Sequence, residues 1–202
     1  GGKTDYLGID DGTRSLPSLV PKSKIDRNLT PAELENIGKS FSNNWDLKST
    51  TLPINSNFKF NLGNKINLGE EEVLGYIASL TYSNSNDLKE TYQANYTYEG
   101  PRYIYNGVNY NKSINWGALL NVSLKLSSNN KISLKNVYNN SSDDETIQYE
   151  GDYSSYLQYR KTTSFRFVSR SLQSSQLIGE HNINFFNGLR IDWNLNFSNS
   201  KR

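Results

Sequence analysis

Ile114-Asn115-Trp116-Gly117-Ala118-Leu119-Leu120-Asn121-Val122-Ser123-Leu124-Lys125-Leu126 decides the fold class. Trp116, Ala118, Leu120, Val122, Leu124 and Leu126 fall on one side of a two-residue repeat. Asn115, Gly117, Asn121, Ser123 and Lys125 fall on the other, with Leu119 the exception. A period of two is a strand with one apolar and one wet face. Trp116 to Leu126 spans about 34 Å at roughly 3.4 Å per residue. A tilt near 45° projects that to roughly 24 Å, the height of the apolar band of an outer-membrane barrel. The polar turn Ser127-Ser128-Asn129-Asn130 follows, and then a partner strand from Lys131 in which Ile132, Leu134 and Tyr138 share a parity. Asn136 breaks that pattern and leaves the register of the second strand open.

Further alternating runs flank this hairpin. Phe58, Phe60 and Leu62 alternate with Lys59 and Asn61, and Leu74, Tyr76, Ala78, Leu80 and Tyr82 share one face. Residues 156–183 read as one long strand, with two strands joined near Leu172 to Ser175 as the alternative. Asn187-Gly188 is a hairpin signal, after which Ile191, Trp193, Leu195 and Phe197 alternate with Arg190, Asp192, Asn194 and Asn196. Residues 1–52 are rich in Gly, Pro, Ser and Asp. Thr30-Pro31-Ala32-Glu33 combines an N-cap, a proline at the first helical position and a capping-box glutamate, which predicts a short helix near 31–38.

The predicted short connections (63–72, 127–130, 185–188) interleave with long polar ones (1–52, 84–112, about 140–160), as the turns and outer loops of a membrane barrel do. Tyr76 and Trp193, with Phe58, Phe60, Phe185 and Phe186, fall near the short-turn rim; Tyr82, Trp116 and Tyr138 fall near the other. Two such rows are the aromatic girdles of a bilayer-spanning barrel, although the β-propensity of aromatics also places them in strands.

Composition narrows the function. Hydrophobic residues make up 35% of 202 and mean hydropathy is −0.72, but 14 Tyr and an aromatic fraction of 12% argue against disorder. A barrel with a polar lumen has such a composition. No apolar run reaches the length of a transmembrane helix. Twenty-two basic and 20 acidic residues are interspersed, with no basic face for nucleic acid. The sequence lacks cysteine, which removes thiolate metal sites and Cys nucleophiles, and it lacks methionine even at position 1. The latter is expected of an internal or processed piece, with a mature secreted protein as the alternative. His181 is the lone histidine and sits in a strand pattern, so a structural role is expected and no catalytic residue is assigned. Asp10-Asp11 and Asp143-Asp144-Glu145 lack the full spacing of a calcium loop, and no metal or cofactor is expected. Arg102, Tyr103, Tyr105 and Tyr110 crowd one predicted outer loop and are the candidate ligand-binding residues, by stacking on sugars or aromatic chelators.

An ordered set of segments carries a family resemblance. Asp5-Tyr6-Leu7-Gly8-Ile9-Asp10-Asp11-Gly12-Thr13-Arg14-Ser15-Leu16-Pro17 resembles the D-[YW]-L-G-x-D-D-G-[ST]-R-x-L-P segment in the barrels of TonB-dependent outer-membrane receptors. Phe41-Ser42-Asn43-Asn44-Trp45, Phe58 to Gly63, Gly75 to Ser83, Lys131 to Asn136, Ser141 to Glu145, Gly179-Glu180-His181 and Asp192-Trp193 resemble later blocks in the same order. The resemblance implies part of a 22-strand transmembrane β-barrel with long extracellular loops, in a receptor that takes up a scarce nutrient across the outer membrane. It implies outer-membrane lipid, a plug domain and the remaining barrel strands as partners, and the TonB complex acting through the plug. The chain is expected to be an early-to-middle part of the wall, about six spanning strands over 53–202, without plug or energy-coupling box. The other reading is a secreted soluble β-rich module binding carbohydrate or protein, which needs two apolar faces packed on one another.

Overall fold

The computed structural model describes residues 2–21, 24, 29–42, 47, 51–185 and 188–202. It forms two compact units, one of residues 1–5 and 10–52 and the other of residues 6–9 and 53–202. The first holds helix α1 (Pro31–Lys39). The Thr30 side chain accepts from the Glu33 amide, and the Glu33 carboxylate accepts from the Thr30 amide at 2.8 Å. In the same unit Arg14 grips Asp5 through two nitrogens, at 2.7 and 3.0 Å, and this hydrogen-bonded guanidinium holds the Asp5 carboxyl below its usual range.

The second unit is one all-antiparallel sheet of six strands in chain order: β1 (Ser56–Asn67), β2 (Val73–Thr97), β3 (Gly100–Ser127), β4 (Asn130–Tyr153), β5 (Gln158–Ile183) and β6 (Leu189–Lys201). Residues 158–183 are therefore a single strand. Phe186 and Asn187 lie outside the described residues, as do Asn43, Asn44 and Trp45; Gly188, at φ +84°, closes the last hairpin before Leu189.

Opposed residues in an antiparallel ladder share a face, so the register sorts every side chain. The line Phe58, Tyr82, Trp116, Asn140, Ser171 runs across the sheet. Below it, down to the line Ile66, Leu74, Leu124, Ile132, Gly179, Trp193, the alternating runs of β1, β2, β3, β4 and β6 share one face; β5 adds Leu177 to it, while its Leu172 and Ile178 face the other side. Leu74 to Tyr82 covers about 27 Å along β2 at roughly 3.4 Å per residue, or about 19 Å at a 45° tilt. β3 and β4 pair without a shift from Tyr103 to Lys125, so Asn136 does point into the apolar face, between Leu120 and Ser175. Leu119, the exception on β3, meets Val137 across the strand on the polar face.

Segments 84–112 and 140–160, expected to be loops, are strand for most of their length. β1 begins opposite Asn84 and β6 ends opposite Ser171; above that level β2 to β5 continue as a four-stranded extension. Its hairpins turn at Tyr98-Glu99 and through a single 3-10 turn, Ser154–Tyr156. Both faces of the extension carry polar residues, which removes the alternation that marks a strand in sequence. The pairing satisfies those residues instead. Asn109 donates to Glu145 at 3.0 Å, Ser113 to Asp143 at 2.8 Å, and Tyr110 to Asn86 at 3.0 Å.

Candidate functional site

The six-stranded band presents one mostly apolar face. Leu80, Leu120, Leu134, Leu195 and Phe197 are all exposed on it, between 40% and 63%. Ile114 is the only large apolar side chain buried as core among the described residues. An exposed apolar surface of this extent on a folded domain marks contact with lipid or another protein. No described helix is long and apolar enough to cross a membrane, a statement that does not bear on strands.

Tyr76, Tyr82, Trp116, Tyr138 and Trp193 all lie on this face, and so do Phe58 and Phe60, which stand in its upper two lines and not near the short-turn rim as expected, because β1 runs down from the level of Tyr82. Trp193 is in its lowest line and Tyr76 in the next; Tyr138 is one line below the top, where Tyr82 and Trp116 stand opposed. The Trp116 and Tyr138 rings pack at 5.0 Å. At the lower rim the Trp193 indole lies over Gly179 and donates to His181 Nε2 at 3.0 Å. An indole N–H only donates, so Nε2 holds a lone pair. The proton then sits on Nδ1, which donates to Asn130 Oδ1 at 2.8 Å. Both ring nitrogens of the lone histidine are thereby committed to neighbours. A Cβ at position 179 would run into the Trp193 ring. Gly179→Ala is thus expected to swing the indole off His181 and red-shift tryptophan emission, whereas Leu177→Ala leaves that emission near its wild-type position.

At the upper line the segment Tyr6-Leu7-Gly8-Ile9 lies across the same face as a strap. The Tyr82 hydroxyl donates to the Tyr6 carbonyl at 2.9 Å, and Trp116 Nε1 to the Leu7 carbonyl at 2.8 Å. Asn140 Nδ2 donates to the carbonyls of Leu7 and Gly8, at 3.2 and 3.3 Å, and Ser169 Oγ to that of Gly8 at 2.8 Å. Ile114, Asn140 and Ser142, each 2% exposed, lie in this patch. Trp116 and Tyr82 thus present their polar ends to protein backbone. Sequence reasoning missed Asn140, Ser142 and Ser169, whose signal is the switch at Tyr138 from apolar to small polar residues at the same parity.

The candidate ligand residues separate. Tyr110 belongs to the Trp116 face, where burial and the Asp144 charge push its hydroxyl pKa up. Tyr103 and Tyr105 stand on the opposite face, stacked at 4.9 Å, and Arg102 is exposed beside them. Residues remote in sequence complete their surroundings. Tyr153 lies parallel to Tyr103 at 6.2 Å, Tyr149 beside Tyr105 at 5.7 Å and Tyr156 beside Tyr153 at 5.3 Å, with the Arg160 guanidinium 4.1 Å above the Tyr153 ring. Gly107 faces Tyr149 and Gly151 faces Tyr105, and a side chain at either glycine would strike the facing strand. The result is a ladder of rings at the outer end of the extension.

The acidic run 143–145 alternates between faces. Asp143 and Glu145 point to the polar side, where Arg170 and Arg166 approach at 3.7 and 2.8 Å, while Asp144 points to the other. Three consecutive strand carboxylates cannot converge on one ion. Asp11 accepts from the Lys3 and Thr13 amides, which lowers its pKa, and Asp10 lies 3.6 Å from Arg14. Among the described residues no cluster of three metal-ligating side chains occurs. No family model, no curated protein and no solved structure matches the chain.

Proposed function

We propose that the chain is a section of the wall of a transmembrane β-barrel in the outer membrane, of the TonB-dependent receptor type, taking part in energised nutrient uptake with no chemical step of its own. The observation that carries this reading is the register: one six-stranded ladder aligns the alternating apolar runs of β1 to β4 and β6 on one face, with Leu177 of β5 between Leu134 and Leu195. The band is about 19 Å high between its outer lines at a 45° tilt, comparable to the roughly 25 Å apolar height of such barrels once the side chains of those lines are included. The opposite face offers Asn61, Ser79, Asn121, Ser123 and Lys135, the chemistry of a wetted lumen. In this reading the aromatic lines sit at the two bilayer boundaries, the extension stands outside the cell, and further strands pair with the free edges of β1 and β6. Plug, TonB complex and outer-membrane lipid are the partners this arrangement calls for.

The absence of cysteine makes the test direct. Single cysteines at Leu80, Leu120 and Leu195 on one face, and at Ser79, Asn121 and Asn196 on the other, are introduced into the protein in outer membranes. A water-soluble maleimide is expected to label the second set and spare the first, while oxygen dissolved in lipid relaxes spin labels on the first set alone. Equal aqueous labelling of both sets would refute the membrane wall and favour a soluble β-module.

A further inference from the structure

We propose that the tyrosine ladder on the polar face of the extension is a binding site for an oxygen-rich, carboxylate-bearing ligand, with Arg160 as its cationic anchor. This holds whether or not the lower band stands in a membrane. The ring faces are largely spent on one another: Tyr103 on Tyr105 and Tyr153, Tyr105 on Tyr149, and Tyr153 on Tyr156 and Arg160. A flat guest therefore finds few faces left for stacking. Strand side chains stand roughly perpendicular to the sheet, so Tyr103, Tyr105, Tyr149 and Tyr153 carry their hydroxyls away from it. The hydroxyls of Tyr103, Tyr105, Tyr149, Tyr153 and Tyr156 have no hydrogen-bond partner among the described residues.

Charge selects the ligand class. From the line Thr91, Gly107, Tyr149, Thr162 to the tip, the strand-paired residues of this face include Gln93, Tyr103, Tyr105, Tyr153, Gln158 and Arg160, and no carboxylate. Glu150 and Asp152 have the opposite parity and face the other way, where Glu150 meets Lys161 at 3.5 Å. Arg160 makes one long contact, 3.4 Å to Gln158 Oε1, and no ion pair among the described residues. A guanidinium seated over a ring spends none of its N–H donors on that contact and can offer them to a carboxylate. Phenol hydroxyls on both sides then donate to further oxygens of the same guest.

Calorimetric titration of the full chain in detergent micelles tests this, with trigalacturonate, citrate and neutral maltotriose as probes. Binding of trigalacturonate, citrate or both supports the proposal, and the pattern tells an acidic glycan from a small polycarboxylate. Maltotriose is expected to bind about tenfold more weakly or not at all, and Arg160→Gln to weaken the acidic probe about tenfold or more. Tyr103→Phe with Tyr153→Phe keeps the rings and the packing but removes two donors, and is expected to cost severalfold. No binding of either acid, equal binding of maltotriose, or affinities unmoved by both variants would overturn the site.

Discussion

Under the proposed membrane reading, Leu120→Arg is expected to destabilise the protein in a bilayer by about 2–4 kcal/mol, the cost of an arginine near the bilayer midplane on the lipid face of a barrel. Ser79→Arg, at nearly the same height on the adjacent strand, is expected to cost under about 1 kcal/mol. The two positions differ in parity alone. Leu120 lies in the line Leu62, Ala78, Leu120, Asn136, Ser175, Phe197 of the apolar face, while Ser79 opposes Leu119 on the polar face and gives up one hydrogen bond, to Asn61 at 2.7 Å. In that reading a cation at 120 must shed its hydration or thin the bilayer around it, and a cation at 79 meets Asn61 and Thr81 in a wet environment. Urea titration in phospholipid vesicles, read by the heat-modifiable folded band, gives both values. Equal costs at the two sites, or a larger cost at Ser79, would remove the lipid from the account of this face.

The parity argument worked from sequence wherever one face was apolar. The runs at Phe58 to Leu62, Leu74 to Tyr82, Trp116 to Leu126 and Ile191 to Phe197 are strands whose apolar faces were read correctly. It failed in the extension, where Asn86, Asn109, Asn111 and Glu145 sit in ladders without any repeat of hydrophobicity. A strand polar on both sides has the local composition of a loop, and only cross-strand pairing distinguishes the two. The ligand candidates failed to group for a related reason. Tyr103 and Tyr110 differ in parity and so point to opposite faces, whereas Tyr103 and Tyr153, far apart in sequence, are direct partners. The Asp5 to Pro17 motif was legible as a motif but not as a contact. Nothing in its composition says that Leu7 and Gly8 offer their carbonyls to Trp116, Asn140 and Ser169.

That contact carries the second large effect. Gly8→Val is expected to lift the strap from the sheet, because two costs fall on one residue. Its φ of +65° is left-handed, which costs an L-residue about 1–2 kcal/mol, and more when the side chain is β-branched. A Cβ would also overlap Ser142 Oγ, on a residue 2% exposed with no room to retreat. Lifting the strap takes the acceptors from Trp116 Nε1, Asn140 Nδ2 and Ser169 Oγ and uncovers these donors, at about 0.5–1.5 kcal/mol net for each hydrogen bond lost. The consequence to measure is chymotryptic cleavage after Tyr6 or Leu7, faster in Gly8→Val by tenfold or more. The milder pair Gly8→Ala and Ser142→Gly separates the two costs: removing the serine side chain relieves the overlap and leaves the dihedral penalty, so the double variant should be cleaved more slowly than Gly8→Ala alone. Strictly additive effects in that cycle would mean that Gly8 and Ser142 do not touch. Under the membrane reading the strap then covers the polar patch where the apolar band ends, so that Asn140 and Ser142 meet backbone carbonyls there in place of lipid.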